Sequence, residues 1–323
     1  MTTRRSVLVC GASIVAALSL PRGAFAQAFP TKPIKIVVPF PPGGPADTAV
    51  RIAQPAMEKA LGQPVIVENV PGAAGLLGVN RVKAAEPDGY TLVQTASPHT
   101  TTAAIKPDTI DLLRDLAPVG LTGNSTFTLV VSPKLGVKTL DELIALAKAK
   151  PGELKFGSVG NGSSQHLVAE MLIAATKIEL THVPYRGEAP SVPDLATGRI
   201  DLMFMASAKQ YIDGGQVIGL GVSAAEPWFN LPDLKPLSQQ GLPGFVVDGW
   251  NGIMAPKGTP AAIIAKLSDA LATGLGSDAA AKAFYAMGFK PGDGRPGPMA
   301  KAIENDMRVF TTVIRERNLK FDT

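Results

Sequence analysis

The chain has 323 residues with 31 basic and 27 acidic side chains, a formal net charge of +4. That length suits two domains, each able to bury its own core. Arg4, Arg5 and Arg22 lie in an opening stretch without acids, so residues 27–323 carry only +1 (4 − 3); with charges dispersed and no basic cluster interleaved with aromatics, a nucleic-acid partner is not expected.

The opening stretch reads as an address. Arg4-Arg5 precedes an apolar run, Val7 to Leu20, and then the small-x-small pattern Ala24-Phe25-Ala26. This describes an export signal cut after Ala26, with the periplasm as destination. The run is shorter than the roughly 20 residues that span a bilayer. The TRRSVLV segment suits the twin-arginine route, although ordinary secretory signals also tolerate Arg-Arg. Cys10, the sole cysteine, precedes most of the apolar run and would leave with the signal. The remainder then has neither disulfides nor a thiolate nucleophile.

Ile34 to Phe40 is a β-branched, nearly uncharged strand that stops at Pro41-Pro42-Gly43-Gly44-Pro45. Asp47 and Thr48 stand where they could cap a helix from Thr48 to Leu61. Strand, glycine turn and helix N-terminus present free backbone N–H groups to an anion. A strand at Pro64–Val70, a helix at Leu76–Ala85 and a strand at Tyr90–Thr95 complete a β-α-β-α-β order, the pattern of a parallel sheet. The segment Ala96 to Thr100 is expected as a polar loop at the ligand-binding edge of that sheet, and Pro118–Leu121 as a short strand.

A second unit repeats the logic. Phe127–Ser132 is a strand, Leu140–Lys148 a helix, and Lys155–Val159 a strand breaking into Gly160-Asn161-Gly162-Ser163-Ser164 before a helix from Gln165 to Ala175. Strands at His182–Tyr185, Ile200–Met205 and Val217–Ser223 and a helix at Ala189–Thr197 follow. Trp250–Pro256 is a strand, and helices at Pro260–Leu275, Ala279–Met287 and Ala300–Arg317 close the chain. In the last, Ile303, Met307, Phe310 and Ile314 have the spacing of one buried face.

The loops offer neutral donors. Ser158, Asn161, Ser163 and Ser164 can bond a carboxylate without adding charge, or they can simply cap a helix. Arg186, after Tyr185, could grip a carboxylate or form a surface salt bridge; Asp201 reads as a structural acid at a strand end. No Walker or dinucleotide fingerprint is present, so no cofactor is expected. The three histidines lack metal-ligand spacing, and no Gly-x-Ser-x-Gly elbow occurs, so neither a metal site nor an enzyme is expected.

Six stretches in order, PTKPIKIVVPFPPGGPADTAVR, LGQPVIVENVPGAAGLLG, PDGYTLV, FGSVGNGSSQHLVAEM, THVPYRGEAPSVPDLATGRIDLMF and GIMAPKGTP, give the chain a resemblance from about Phe29 to its end. It resembles the periplasmic solute receptors of tripartite tricarboxylate transporters, the Bug or TctC-like family. The resemblance implies an α/β, two-lobed type II periplasmic-binding-protein fold, each lobe a mostly parallel sheet flanked by helices. Lobe I would comprise residues 27–125 and 245–323, and lobe II residues 126–244. The implied ligand is a small organic acid: a di- or tricarboxylate, an acidic amino acid or an aromatic acid. The implied contacts are Phe40, Pro42, Gly43, Gly44 and Asp47 in one jaw and Ser158, Gly160, Asn161, Ser163 and Ser164 in the other. Ser97, His99, Tyr185, Arg186, Gly187, Met205 and Ala206 would shape the far end. A monomer serving integral membrane transporter subunits is expected. A sensor feeding a signalling partner and an exported α/β hydrolase are the alternatives. Met205-Ala206-Ser207-Ala208 departs from the family's usual aspartate or proline, and Asn230–Gln240 from its usual Pro-Thr-x-x-Glu. The first departure points to a less polar distal pocket.

Overall fold

The computed structural model describes residues 29–321; the expected export signal and its cleavage point lie outside the described residues. In chain order the elements are β1 (Ile34–Val38), α1 (Pro45–Leu61), β2 (Val65–Asn69), α2 (Leu76–Lys83), β3 (Thr91–Ala96), α3 (Ser97–Ile105), α4 (Leu112–Asp115) and β4 (Leu116–Thr126). The chain then crosses into β5 (Thr128–Val131), α5 (Leu140–Ala149), β6 (Lys155–Ser158), α6 (Ser164–Thr176), β7 (Thr181–Pro184), α7 (Val192–Thr197), β8 (Leu202–Met205), α8 (Ala208–Asp213) and β9 (Ile218–Val222). It returns through β10 (Asp248–Pro256), α9 (Ala261–Leu275), α10 (Asp278–Ala286), β11 (Lys290–Pro291) and α11 (Pro296–Glu316).

Two sheets result, in the orders β11-β4-β10-β3-β1-β2 and β7-β6-β8-β5-β9. In the first, β1, β2, β3 and β4 share one direction, and β10 runs against its neighbours β3 and β4. In the second, β6, β7, β8 and β9 share one direction and β5 opposes them. The two-residue edge strand β11 also opposes β4; otherwise each lobe is a mostly parallel sheet with one long-range reversed strand inserted. Those reversed strands are the two that arrive from the other lobe. Burial explains the sequence pattern: Ile34, Ile36, Val37 and Val38 of β1 are all fully buried, with helices on both faces.

The cores are correspondingly separate. In the first lobe α1 and α9 cover one sheet face through Met57, Leu267 and Leu271, and α2 and the start of α11 cover the other through Val79, Met299 and Ile303. In the second, Leu143, Phe156, Leu172 and Phe204 share a core with Phe310 and Val313 of α11. Helix α11 thus begins on one lobe and ends on the other. Gly120 in β4 lets the residues before α11 lie directly on the strand; a Cβ there would sit 2.2 Å from the carbonyl carbon of Gly294.

Several local expectations give way. Residues 97–100 are not a loop but the opening of α3. Thr100, Thr101 and Thr102 hid it, since threonine is a weak helix former; here their hydroxyls bond back to the carbonyls of Ser97 and Pro98. Strand β4 runs to eleven residues because β10 pairs along nearly its whole length, overriding its Gly, Asn and Ser content. Asp47 and Thr48 do not cap α1, which starts earlier, at Pro45. In α5 Thr139 and Glu142 form a reciprocal capping box.

The crossings between lobes are tied together by one hydroxyl. Ser223 Oγ accepts the Phe127 amide at 3.0 Å and donates to the Val247 carbonyl. Backbone bonds run alongside, Ser223 N to Phe127 O at 2.8 Å and Val247 N to Ser223 O at 3.2 Å. Ser223→Ala would leave a buried amide and a buried carbonyl short of a partner, at a cost of about 1–3 kcal/mol. Urea denaturation should show a lowered midpoint of that size; a midpoint equal to wild type would contradict this role for the hydroxyl.

Candidate functional site, an uncharged cleft between the lobes

A cleft of about 610 Å³ opens where the two sheets present their strand ends. The first lobe lines it with Phe40 to Ala46, Ala96 to Pro98, Ser125 and Gly249 to Asn251; Phe127 comes from the crossing and Ser164 and Gln165 from the second lobe. No lysine, arginine, histidine or acid is among these residues.

The α1 terminus is built to leave donors free. Gly43 turns the chain at a φ of +81°, a conformation suited to glycine. Gly44 is the N-cap and offers no side chain, and Pro45 supplies no amide. Asp47, 2% exposed, points back into the loop rather than into the cleft. Its Oδ2 accepts the Gly43 amide at 2.9 Å and Arg51 Nε at 2.8 Å, and its Oδ1 accepts Asn69 Nδ2 at 3.0 Å. Burial opposes its charge, yet the bonds from Arg51, Gly43 and Asn69 hold its pKa below the ordinary value. Asn69 also donates to the Phe40 carbonyl at 3.0 Å, so the Pro-Gly loop is pinned from within. Among the described residues no acceptor takes the amides of Gly44, Ala46 or Asp47. These sit at the positive end of a 17-residue helix.

The facing jaw is similar but braced differently. Ser163 Oγ accepts the His166 amide at 3.2 Å, and His166 Nδ1 accepts the Gly162 amide at 3.0 Å. Among the described residues no acceptor takes the Ser164 and Gln165 amides at the start of α6. Ser164 Oγ lies 2.9 Å from Thr101 Oγ1, a contact between lobes. Behind the loop, His166 and His182 stack at 3.9 Å, and His182 Nε2 lies 2.7 Å from Ser158 Oγ. Burial, then the neighbouring His166, pushes His182 down to about 4, so it is neutral at physiological pH.

Trp250 forms a wall. Its indole Nε1 donates to Asp306 Oδ2 at 2.8 Å, and Thr100 Oγ1 lies 2.8 Å from the same oxygen. Asp306 is 2% exposed, and burial raises it to about 7, with Asp248 adding to the rise and the two hydrogen bonds opposing it. Beside Trp250, Asn251 Oδ1 accepts Gln94 Nε2 at 2.9 Å, which leaves the Asn251 amide nitrogen to donate elsewhere. The chemistry on offer is neutral hydrogen-bond donation at two helix starts, between apolar walls.

A family profile described as the tripartite tricarboxylate transporter family receptor, TctC, matches residues 49–319. Protein BugT of Bordetella pertussis is 34% identical over 91% of this chain and 92% of its own. Among solved structures, malate-bound MatC of Rhodopseudomonas palustris superposes with a TM-score of 0.71 at 30% identity, covering 88% of this chain and 100% of that one. R. palustris Rpa4515 with adipate gives 0.74 at 30%, covering 90% and 98%. The chain belongs to the TctC receptor family.

In this TctC receptor the residues expected at the ligand fall in several places. Phe40, Pro42, Gly43, Gly44, Ser97 and Ser164 meet in the cleft wall. Asp47, His99, Ser158 and Met205 are buried and stand outside that lining. His99 is wholly buried, accepts the Ala96 amide at 3.0 Å through Nδ1, and sets its ring edge-on to Phe40; burial lowers it to about 4. Ser163 is committed to its cap, and Gly160, Asn161, Gly187 and Ala206 lie outside the lining. The Tyr185 hydroxyl donates to Asp194 at 2.8 Å and is pushed up to about 12, by burial first and then by that acid. Arg186 is exposed and outside the lining. Asp201 accepts the Lys155 amide at 2.7 Å, a structural role. Trp250, Asn251, Ser125 and Gln165 were not anticipated. Their one sequence signal is a tryptophan and an asparagine heading an otherwise apolar strand.

Asp306 gives the TctC receptor a pH signature. Its folded pKa lies above its unfolded one, so its contribution is complete below about pH 4 and is lost as pH rises through about 7. Thermal melts of the wild type should therefore fall in midpoint from pH 5 to pH 8. Asp306→Asn keeps an acceptor for Trp250 without the ionisation, and its melts should fall less. Parallel curves for the two proteins would contradict the assignment.

Proposed function

We propose that the protein is a periplasmic receptor that holds a small organic carboxylate between its lobes and hands it to the integral membrane subunits of a tripartite transporter. The observation that carries this is the pair of helix starts, α1 and α6, whose uncommitted amides line one uncharged cleft from opposite lobes. Neutral donors bind an anion without leaving a buried cation uncompensated when it departs. A ligand bonded to both lobes favours the closed arrangement, because only differential affinity moves an open–closed equilibrium. The ligands named for MatC and Rpa4515, malate and adipate, are carboxylates and support the class.

Lobe I is read as residues 27–125 with 245–323, and lobe II as 126–244. The switch from one sheet to the other at Phe127 and the Ser223–Val247 return support this, although Phe310 and Val313 of α11 pack into the lobe II core. The export signal, cut after Ala26, supplies the route to the periplasm; no described helix is long and apolar enough to cross a membrane. The protein acts as a monomer and binds rather than turns over: the cleft lining holds neither a histidine nor an acid to activate its serines.

Isothermal calorimetry against a panel of organic acids should show binding of one equivalent, with the ligand recovered unchanged. Ser164→Pro removes one of the free α6 amides at a first helical position, where proline is tolerated, and should weaken that binding by about tenfold, the worth of one hydrogen bond to a charged group. Failure of every acid to bind, with a sugar or metal ion binding instead, would defeat the proposal.

A further inference from the structure

Beside the lobe II wall of the cleft, bonded to Gln165 of that wall, lies one of the protein's own carboxylates. Glu188 follows β7 and reaches the carboxyl end of β8, the sheet edge that also carries the Ser158–Ser164 loop. Its Oε1 accepts the Ala206 amide at 2.6 Å and the side-chain amide of Gln165 at 3.3 Å. Its Oε2 accepts the Ser207 amide at 3.1 Å and the Ser207 hydroxyl. Four neutral donors therefore converge on this carboxylate, and one of them, Gln165, is itself a wall of the cleft. Such a constellation is what a second ligand carboxylate would need.

We infer that this receptor selects a monocarboxylate with an apolar, ring-sized or aliphatic body and rejects a second carboxylate, because Glu188 fills the donors that would receive one. The inference rests on the carboxylate-receptor reading and narrows it. Away from the two helix starts the cleft is walled by Phe40, Pro41, Pro42, Pro98, Phe127 and Trp250. Those six side chains offer a second carboxylate no hydrogen bond, the lining adds only the neutral side chains of Ser97, Ser125 and Asn251 there, and burying an ion with so few partners is unfavourable. Glu188 adds like-charge repulsion behind Gln165, where four neutral donors are already taken. For an apolar body the same walls are favourable, since aromatic and proline faces remove its surface from water. With four donors bound, Glu188 is also a poor partner for a ligand ammonium group, so an amino acid is disfavoured.

Calorimetry on the intact protein with benzoate, phenylacetate and hexanoate against malate, adipate and glutamate tests this. At least one monocarboxylate should bind, and each of the other three acids at least about 100-fold more weakly, a gap of about 2.7 kcal/mol. Glu188→Ala releases the Ala206, Ser207 and Gln165 donors and should raise the ratio of adipate to monocarboxylate affinity at least tenfold. If that variant fails to fold, the wild-type ranking decides alone. Malate, adipate or glutamate binding the wild type as tightly as the best monocarboxylate overturns the inference and leaves the carboxylate receptor standing. Binding by none of the six overturns the receptor reading, and the inference with it.

Discussion

The start of α1 is the constraint around which the site is arranged. A long helix whose cap residue is glycine and whose first residue is proline has amides to offer and nothing of its own to satisfy them. Left to solvent, such an end would be ordinary. Here it closes onto a cleft with no charged lining, so an incoming anion is the natural partner for its dipole. Everything near it serves to keep those amides available. Asp47 turns inward to hold Gly43 and Arg51, and Asn69 holds the Phe40 carbonyl, so the loop keeps its shape without intruding on the site.

The same economy governs the connection between lobes. Each sheet contains one reversed strand received from the other lobe, so the two cannot separate without breaking sheet pairing. The hydroxyls of Thr126 and Ser223 bind the two crossings to one another, Thr126 Oγ1 accepting the Ala224 amide at 3.1 Å. Helix α11 adds a strut, with Arg317 paired to Glu170 of α6 at 3.0 Å and Asp306 held by Trp250. The wall of the cleft is thereby coupled to the element that spans both lobes.

The Pro41–Pro45 loop and its counterpart at Gly160–Ser164 were legible in the sequence because proline and glycine punctuate a chain in ways that do not depend on tertiary context. The two-sheet architecture was legible for a related reason: short β-branched runs between helices have few other uses. Helix α3 was hidden because its threonines satisfy themselves by bonding back along the helix, which propensity cannot foresee. Trp250 and Asn251 were hidden because the strand that carries them enters the first sheet only after the whole of the second lobe has been built. His99, Ser158 and Met205 are buried outside the cleft lining, a placement set by burial and hydrogen bonding that is invisible in one dimension. Glu188 is the clearest case. In the sequence nothing assigns it a role, and only the fold brings Ala206, Ser207 and Gln165 around it.

The most direct test of an anion shared between two neutral helix starts is a crystal structure of the protein with its carboxylate bound. The carboxylate oxygens should lie within hydrogen-bonding distance of amides among Gly44, Ala46 and Asp47 on one side and of Ser164 or Gln165 on the other. A carboxylate held instead by a lysine or arginine side chain, or by one lobe alone, would contradict that sharing.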